Sequence, residues 1–148
     1  MRAAIRKTEP EAEYRLEDQV GYWLRRAYQR HMAIFAASMG DLDLTSTQFA
    51  ALVKLRELGA APQTELGRLT GMDRATISGV VARLQKRGLV QLRADPGDRR
   101  ARIIALTAAG AELLAQALRR VEQVSEQTLA PVGAGEAVAL RETLRKLG

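Results

Sequence analysis

A mainly α fold with a small β component (α+β) is predicted by three features of this 148-residue chain. Two short helical stretches, 64–70 and 73–87, are separated by a tight turn at Gly71-Met72. Two strand-like runs, 89–93 and 101–106, flank the turn-rich segment Ala94-Asp95-Pro96-Gly97-Asp98-Arg99-Arg100. Long amphipathic stretches, 11–39 and 107–148, lie on either side of this unit. Two helices about a turn followed by a hairpin make a winged helix-turn-helix. It is assigned to 45–106, with its second helix at 73–87 and its wing at 89–106, inside one domain spanning 1–148.

In chain order, residues 1–10 lack periodicity and end at Pro10, so a loose arm is expected there. The first helix is predicted from about 11 to 38. Leu16, Val20, Leu24, Ala27, His31, Ile34, Phe35 and Ser38 share one stripe, with Trp23 and Tyr28 at its margins. Gly40 and Asp41-Leu42-Asp43 form the exit. Thr45 or Ser46 caps a second helix whose apolar positions are Phe49, Leu52, Val53 and Leu55, and which ends near Gly59. Ala60-Ala61-Pro62 is read as a plain connection.

In the helix at 73–87, Asp73 suits the free N–H groups of the first turn. Ile77, Val80, Val81 and Leu84 fall at i, i+3, i+4 and i+7 and predict a buried stripe. Gly88 is the expected stop. After the hairpin, Thr107 caps a helix to about 129, with Leu113, Leu114, Ala117, Leu118, Val121 and Val124 in helical period. Pro131, Gly133 and Gly135 break it, and a last helix is predicted over about 136–147.

Composition narrows the function. Apolar residues make up 47% of the chain, which excludes general disorder. No apolar run approaches bilayer length. The charged N-terminus lacks the hydrophobic core of a secretory signal, and the absence of cysteine suits the cytoplasm. One histidine and no cysteine leave no usual zinc set. Nothing places a serine and a carboxylate beside His31, and no glycine-rich phosphate loop is present. No enzyme activity and no cofactor are expected.

Net charge is +6 and the pI about 10.3. Residues 73–102 hold eight basic against three acidic side chains, so most of the excess sits on the second helix and the wing. The exposed face of that helix carries Arg74, Ala75, Thr76, Ser78, Ala82 and Arg83, short side chains between guanidinium groups. Such a face can approach an anionic surface closely, which points to double-stranded DNA.

The spacing of several motifs resembles the MarR (multiple-antibiotic-resistance regulator) family of bacterial transcription regulators. Asp98, Arg100, Leu106 and Thr107 match its Asp-x-Arg, five residues, Leu-Thr pattern. Leu44-Thr45 with Gln48-Phe49, and Arg83-Leu84 through Arg87-Gly88-Leu89-Val90, are also similar. The likeness covers roughly residues 20–130.

The resemblance implies a homodimer whose terminal helices interlock, and the amphipathic end helices agree, since they have nothing else to cover. It implies major-groove reading by Arg74, Thr76 and Ser78, with Arg83 and Lys86 at phosphate or bracing the wing. Arg100 would enter the minor groove with Asp98 orienting its guanidinium, and Arg99 sits at the same basic tip. Gly79 departs from relatives with a long polar residue there, which predicts a more loosely read operator. The family's effectors lodge between the dimer helices and the DNA-reading unit. Trp23, Tyr28, Arg30, His31, Phe35 and Phe49 are the ligand candidates, with Arg26 as a further cation. His31 itself fits either a pocket or a core histidine bonded to a carbonyl. The expected function is a ligand-responsive repressor released from a pseudo-palindromic operator by a small aromatic acid or its CoA thioester. The alternative is an effector-independent architectural DNA-binding protein.

Overall fold

The computed structural model describes residues 13–148. The arm expected at 1–10 and the first two residues of the predicted opening helix lie outside them. Among the described residues, the helices are α1 (Val20–Met39), α2 (Ser46–Leu58), α3 (Gln63–Thr70), α4 (Arg74–Lys86), α5 (Ala108–Leu129) and α6 (Ala134–Arg145). The strands are β1 (Ala60–Ala61), β2 (Val90–Asp95) and β3 (Asp98–Leu106), in the antiparallel order β1-β3-β2. No helix among them is long and apolar enough to cross a membrane.

Where local chemistry is strong, the elements stand where the sequence puts them. Thr45 caps α2 by accepting the Gln48 amide, and the Gln48 side chain accepts the Thr45 amide in return (both 3.2 Å). Gly88, at φ 71°, ends α4, and the Leu89 amide reaches back to the Leu84 carbonyl at 3.0 Å. Thr107 caps α5 at the Gly110 amide and donates its hydroxyl to the Gly88 carbonyl. A Cβ on Gly110 would lie 2.0 Å from the Leu89 carbonyl oxygen, so only glycine lets α5 start against the beginning of the wing.

Four boundaries differ from the sequence reading. The first helix begins at Val20 rather than near 11; the preceding residues form a 3-10 turn at Leu16–Asp18, and Leu16 is exposed. Leu16 stays 45% exposed, and the Trp23 indole donates to the Glu17 carbonyl at 2.7 Å, which holds the turn. Ala60–Ala61 is a strand, paired to Ala105 and Ile104 of β3. The seven-residue wing loop shrinks to Pro96-Gly97, with Asp95 facing Asp98 and Asp95 Oδ1 accepting the Gly97 amide at 2.8 Å. The strands continue through 94–95 and 98–100 with polar or small side chains, all exposed but the half-buried Asp95, so no apolar alternation marked them. The last helix starts at Ala134, because Glu136 reaches back to the Gly133 amide at 3.0 Å and Gly135 is absorbed into the first turn.

The core joins the two halves. Phe35 and Met39 of α1 pack with Leu52 and Leu55 of α2, Leu66 of α3, Ile77, Val80 and Leu84 of α4, Ile104 of β3 and Leu114, Ala117 and Val124 of α5. By contrast α6 buries none of its side chains. Val138, Leu140, Leu144 and Leu147 are exposed, as are Val20, Trp23, Leu24 and Tyr28 of α1.

Candidate nucleic-acid interface and ligand cleft

The DNA-facing helix α4 is set by its own cap and stripe. Asp73 Oδ1 accepts the Thr76 amide at 2.7 Å, and that bond holds the carboxyl below the usual carboxylate range. Ile77, Val80, Val81 and Leu84 are buried, which turns Arg74, Thr76, Ser78, Arg83 and Lys86 to solvent. The wing carries Asp98, Arg99 and Arg100, all exposed. Asp98 acts differently from expectation: its Oδ1 accepts the Arg100 backbone amide at 2.9 Å. Among the described residues no ion pair joins Asp98 to the Arg100 guanidinium, because the carboxylate at the strand's first residue closes on the nearest N–H.

Not every cation of this segment faces outward. Arg87 donates to the Leu42 carbonyl at 3.0 Å and to that of Asp43, tying the end of α4 to the α1–α2 corner. Arg120 of α5 grips the same corner: it donates to the Ser38 carbonyl at 3.1 Å and pairs with both oxygens of Asp41. That guanidinium keeps the Asp41 carboxyl below its ordinary range. The sequence held no signal for either brace, since each joins residues far apart in the chain.

A cleft of about 340 Å³ opens between α1, α2 and the helix-turn-helix. Tyr28 and His31 form one wall, Ser46, Thr47 and Ala50 another, and Thr70, Gly71, Met72 and Thr76 the third. The buried Ser46 Oγ has no hydrogen-bond partner among the described residues. His31 Nδ1 lies 3.0 Å from Thr128 Oγ1, whose proton goes to the Val124 carbonyl at 2.8 Å. Nδ1–H is therefore the donor in that contact, and Nε2, which makes no hydrogen bond among the described residues, can donate to an anion when the ring carries both protons.

Of the ligand candidates read from the sequence, Tyr28 and His31 line this cleft. Both also line a neighbouring apolar groove of about 600 Å³, shared with Trp23 and with Leu140 and Leu144 of α6. The others stand elsewhere. Phe35 is buried and packs on Phe49 with ring centroids 5.5 Å apart, so both belong to the core. Arg30 donates to the Gln127 carbonyl at 2.8 Å, and Arg26 to the Tyr22 hydroxyl at 2.9 Å, so neither guanidinium lines the cleft. An arginine on a helix with a carbonyl or hydroxyl in reach takes that acceptor. Ser46, Thr47, Thr70 and Met72 escaped the sequence reading because three separate elements contribute them.

The family model described as MarR family matches residues 44–101, the segment from the start of α2 into the wing. The HTH-type transcriptional repressor NicR of Pseudomonas putida is 48% identical over 134 residues, covering 90% of this chain and 85% of NicR. The crystal structure of a probable transcriptional regulator from Pseudomonas aeruginosa superposes with a TM-score of 0.85 at 49% identity, covering 90% of this chain and all of that one. BpsR of Bordetella bronchiseptica, whose DNA binding is regulated by 6-hydroxynicotinic acid, gives 0.84 at 39%, covering 92% and 97%. With close identity to a regulator of this kind across nine-tenths of its length, the chain belongs to the MarR family of DNA-binding transcription regulators.

Proposed function

We propose that this protein is a homodimeric transcriptional repressor released from its operator by a small aromatic carboxylate. The observation that carries the reading is the cleft itself. It borders α1 through Tyr28 and His31, the α3–α4 turn through Met72 and the first turn of α4 through Thr76, with a Ser46 hydroxyl that has no partner among the described residues. A ligand there touches the DNA-reading helix and the long helix next to the exposed apolar groove at the same time. MarR-family regulators act as dimers, and that groove with the exposed face of α6 is the surface a second copy would cover. Two reader helices about a two-fold axis suit pseudo-palindromic half-sites roughly 34 Å apart.

Release follows if the ligand binds one separation of the reader helices better than the other. The cleft's polar groups are an imidazole and hydroxyls rather than arginines, so carboxylate recognition falls to the hydroxyls of Ser46 and the threonines and to the Nε2–H of a His31 imidazolium. BpsR, with its hydroxylated pyridine carboxylate, supports an aromatic acid of similar size.

The test is a titration of hydroxylated benzoates and nicotinates, with their CoA thioesters, followed by Trp23 fluorescence and by release of a fluorescent operator duplex. Trp23 is the chain's single tryptophan and lines the groove that shares Tyr28 and His31 with the cleft. The free acids are expected to quench it and to release DNA. Release by the thioesters alone would replace the acid as effector, and no release by either would favour the architectural alternative. His31→Ala should bind operator normally but need about tenfold more acid, the loss of one charge-assisted hydrogen bond. A lower melting point with an intact ligand response would instead make His31 a core residue.

A further inference from the structure

The exposed face of α4 has a gap along its centre. At roughly 100° per residue, Ala75, Gly79, Ala82 and Lys86 fall opposite the buried stripe. The first three carry a methyl or less, so no long side chain rises from the middle of the face. One crosses it instead. Long helical side chains lean toward the N-terminus, and Arg83 reaches back a full turn to lie over Gly79. A Cβ built on Gly79 would sit 3.2 Å from Arg83 Nη1, 3.6 Å from Nη2 and 3.7 Å from Cζ. Gly79 is only partly exposed as a result, although it faces outward.

Arg83 also differs from its neighbour Arg87, which two carbonyls hold. Among the described residues no hydrogen bond or ion pair engages the Arg83 guanidinium. Nothing in the backbone asks for glycine at 79, since its φ is not positive and, among the described residues, the three nearest atoms a Cβ would meet beyond its own helix backbone all belong to Arg83. Glycine inside a helix is destabilising relative to alanine. The position keeps it where its one structural consequence is room for a guanidinium.

We propose that Arg83 reads a guanine in the operator's major groove, and that Gly79 is the positioning residue that lets it do so. The planar fork of donors matches guanine O6 and N7 together, a geometry an ammonium cannot reproduce. A phosphate contact would accept either cation. The inference rests on the DNA-binding reading, and it makes Arg83 a specificity residue rather than a backbone contact.

The experiment uses full-length protein and two probes: a duplex enriched by the wild type from a random pool, and a random duplex of equal length. Arg83→Lys should lose about 10- to 100-fold on the enriched duplex and keep its affinity for the random one. A selection repeated with Arg83→Lys should return one degenerate G·C pair in each half-site. Gly79→Ala should melt no lower than wild type yet discriminate less between the probes, and that loss should vanish in an Arg83→Ala background. Full discrimination by Arg83→Lys would overturn the proposal. So would equal losses on both probes for Arg83→Ala with a salt slope lower by about one, the mark of a phosphate contact. A wild type that enriches no sequence at all would sink the regulator reading itself, a result separate from either.

Discussion

Single residues set the tolerances of this fold, and two glycines show it with opposite signs. Gly110 faces the Leu89 carbonyl oxygen, 2.0 Å from where a Cβ would stand, whereas a Cβ on Gly135 in the first turn of α6 would meet, among the described residues, nothing within 4 Å beyond its chain neighbours and its own helix backbone. Gly110→Ala must push α5 off the wing, and an overpacking cost of about 1–3 kcal/mol is expected. Thermal unfolding should show a melting point several degrees lower, while Gly135→Ala should match or exceed the wild type. Equal melting points for the two variants would contradict the close approach. Asp73 offers a second check. Its carboxyl lies below its ordinary value of 3.8 because the Thr76 amide bonds the charged form. Its contribution is therefore complete above that value and lost as pH falls below it, through the folded-state titration. Between about pH 5 and 2, stability from denaturant titration should fall more steeply for the wild type than for Asp73→Asn, which keeps an acceptor but cannot titrate.

At the scale of elements, α4 is held at two ends by different means. Asp73 fixes its start, and Arg87 fixes its end by bonding the carbonyls of Leu42 and Asp43. Among the described residues the nearby Lys86 has no such partner, and it faces solvent. Neighbouring cations thus take separate roles. Arg87→Ala should lower stability by about 1 kcal/mol through the lost carbonyl bonds and leave the salt slope of DNA binding unchanged. Lys86→Ala should leave the melting point alone and lower that slope by about one unit if it meets phosphate. The two measurements, a melting curve and binding at several salt concentrations, would show an exchange of roles immediately.

The whole molecule leaves its ends unfinished. In the single chain α6 buries none of its side chains, yet Leu140 and Leu144 line an apolar groove with Trp23 of α1. A monomer would barely register charges at those two positions, whereas a dimer packed through them would come apart. Sedimentation at micromolar concentration is expected to give twice the 16.2 kDa chain mass for the wild type. For Leu140→Glu/Leu144→Glu it should give the chain mass, with operator binding lost because half-site spacing needs both copies. A doubly substituted protein that still sediments as a dimer would move the interface elsewhere.

The sequence by itself determined the helices whose ends are written in neighbouring residues. Asp73, the stripe from Ile77 to Leu84 and Gly88 bound α4, while Thr45 with Gln48 and Thr107 with Gly110 start α2 and α5. Those signals act within four or five residues, so a linear reading suffices. The basic wing and the family likeness were legible for the same reason, being matters of spacing. Tertiary structure alone decided what depends on distant partners. It made Ala60–Ala61 a strand by pairing it with β3, and it started α1 late, at Val20, with the preceding turn held by the Trp23 indole on the Glu17 carbonyl. It sent Phe35 and Phe49 into the core and gave the cleft to Ser46, Thr47, Thr70 and Met72 beside His31. It also turned Arg30, Arg87 and Arg120 to carbonyls from other elements, while Arg83 was left to lie across Gly79. A long charged side chain takes the acceptor that folding brings within reach, and sequence spacing carries no record of that distance.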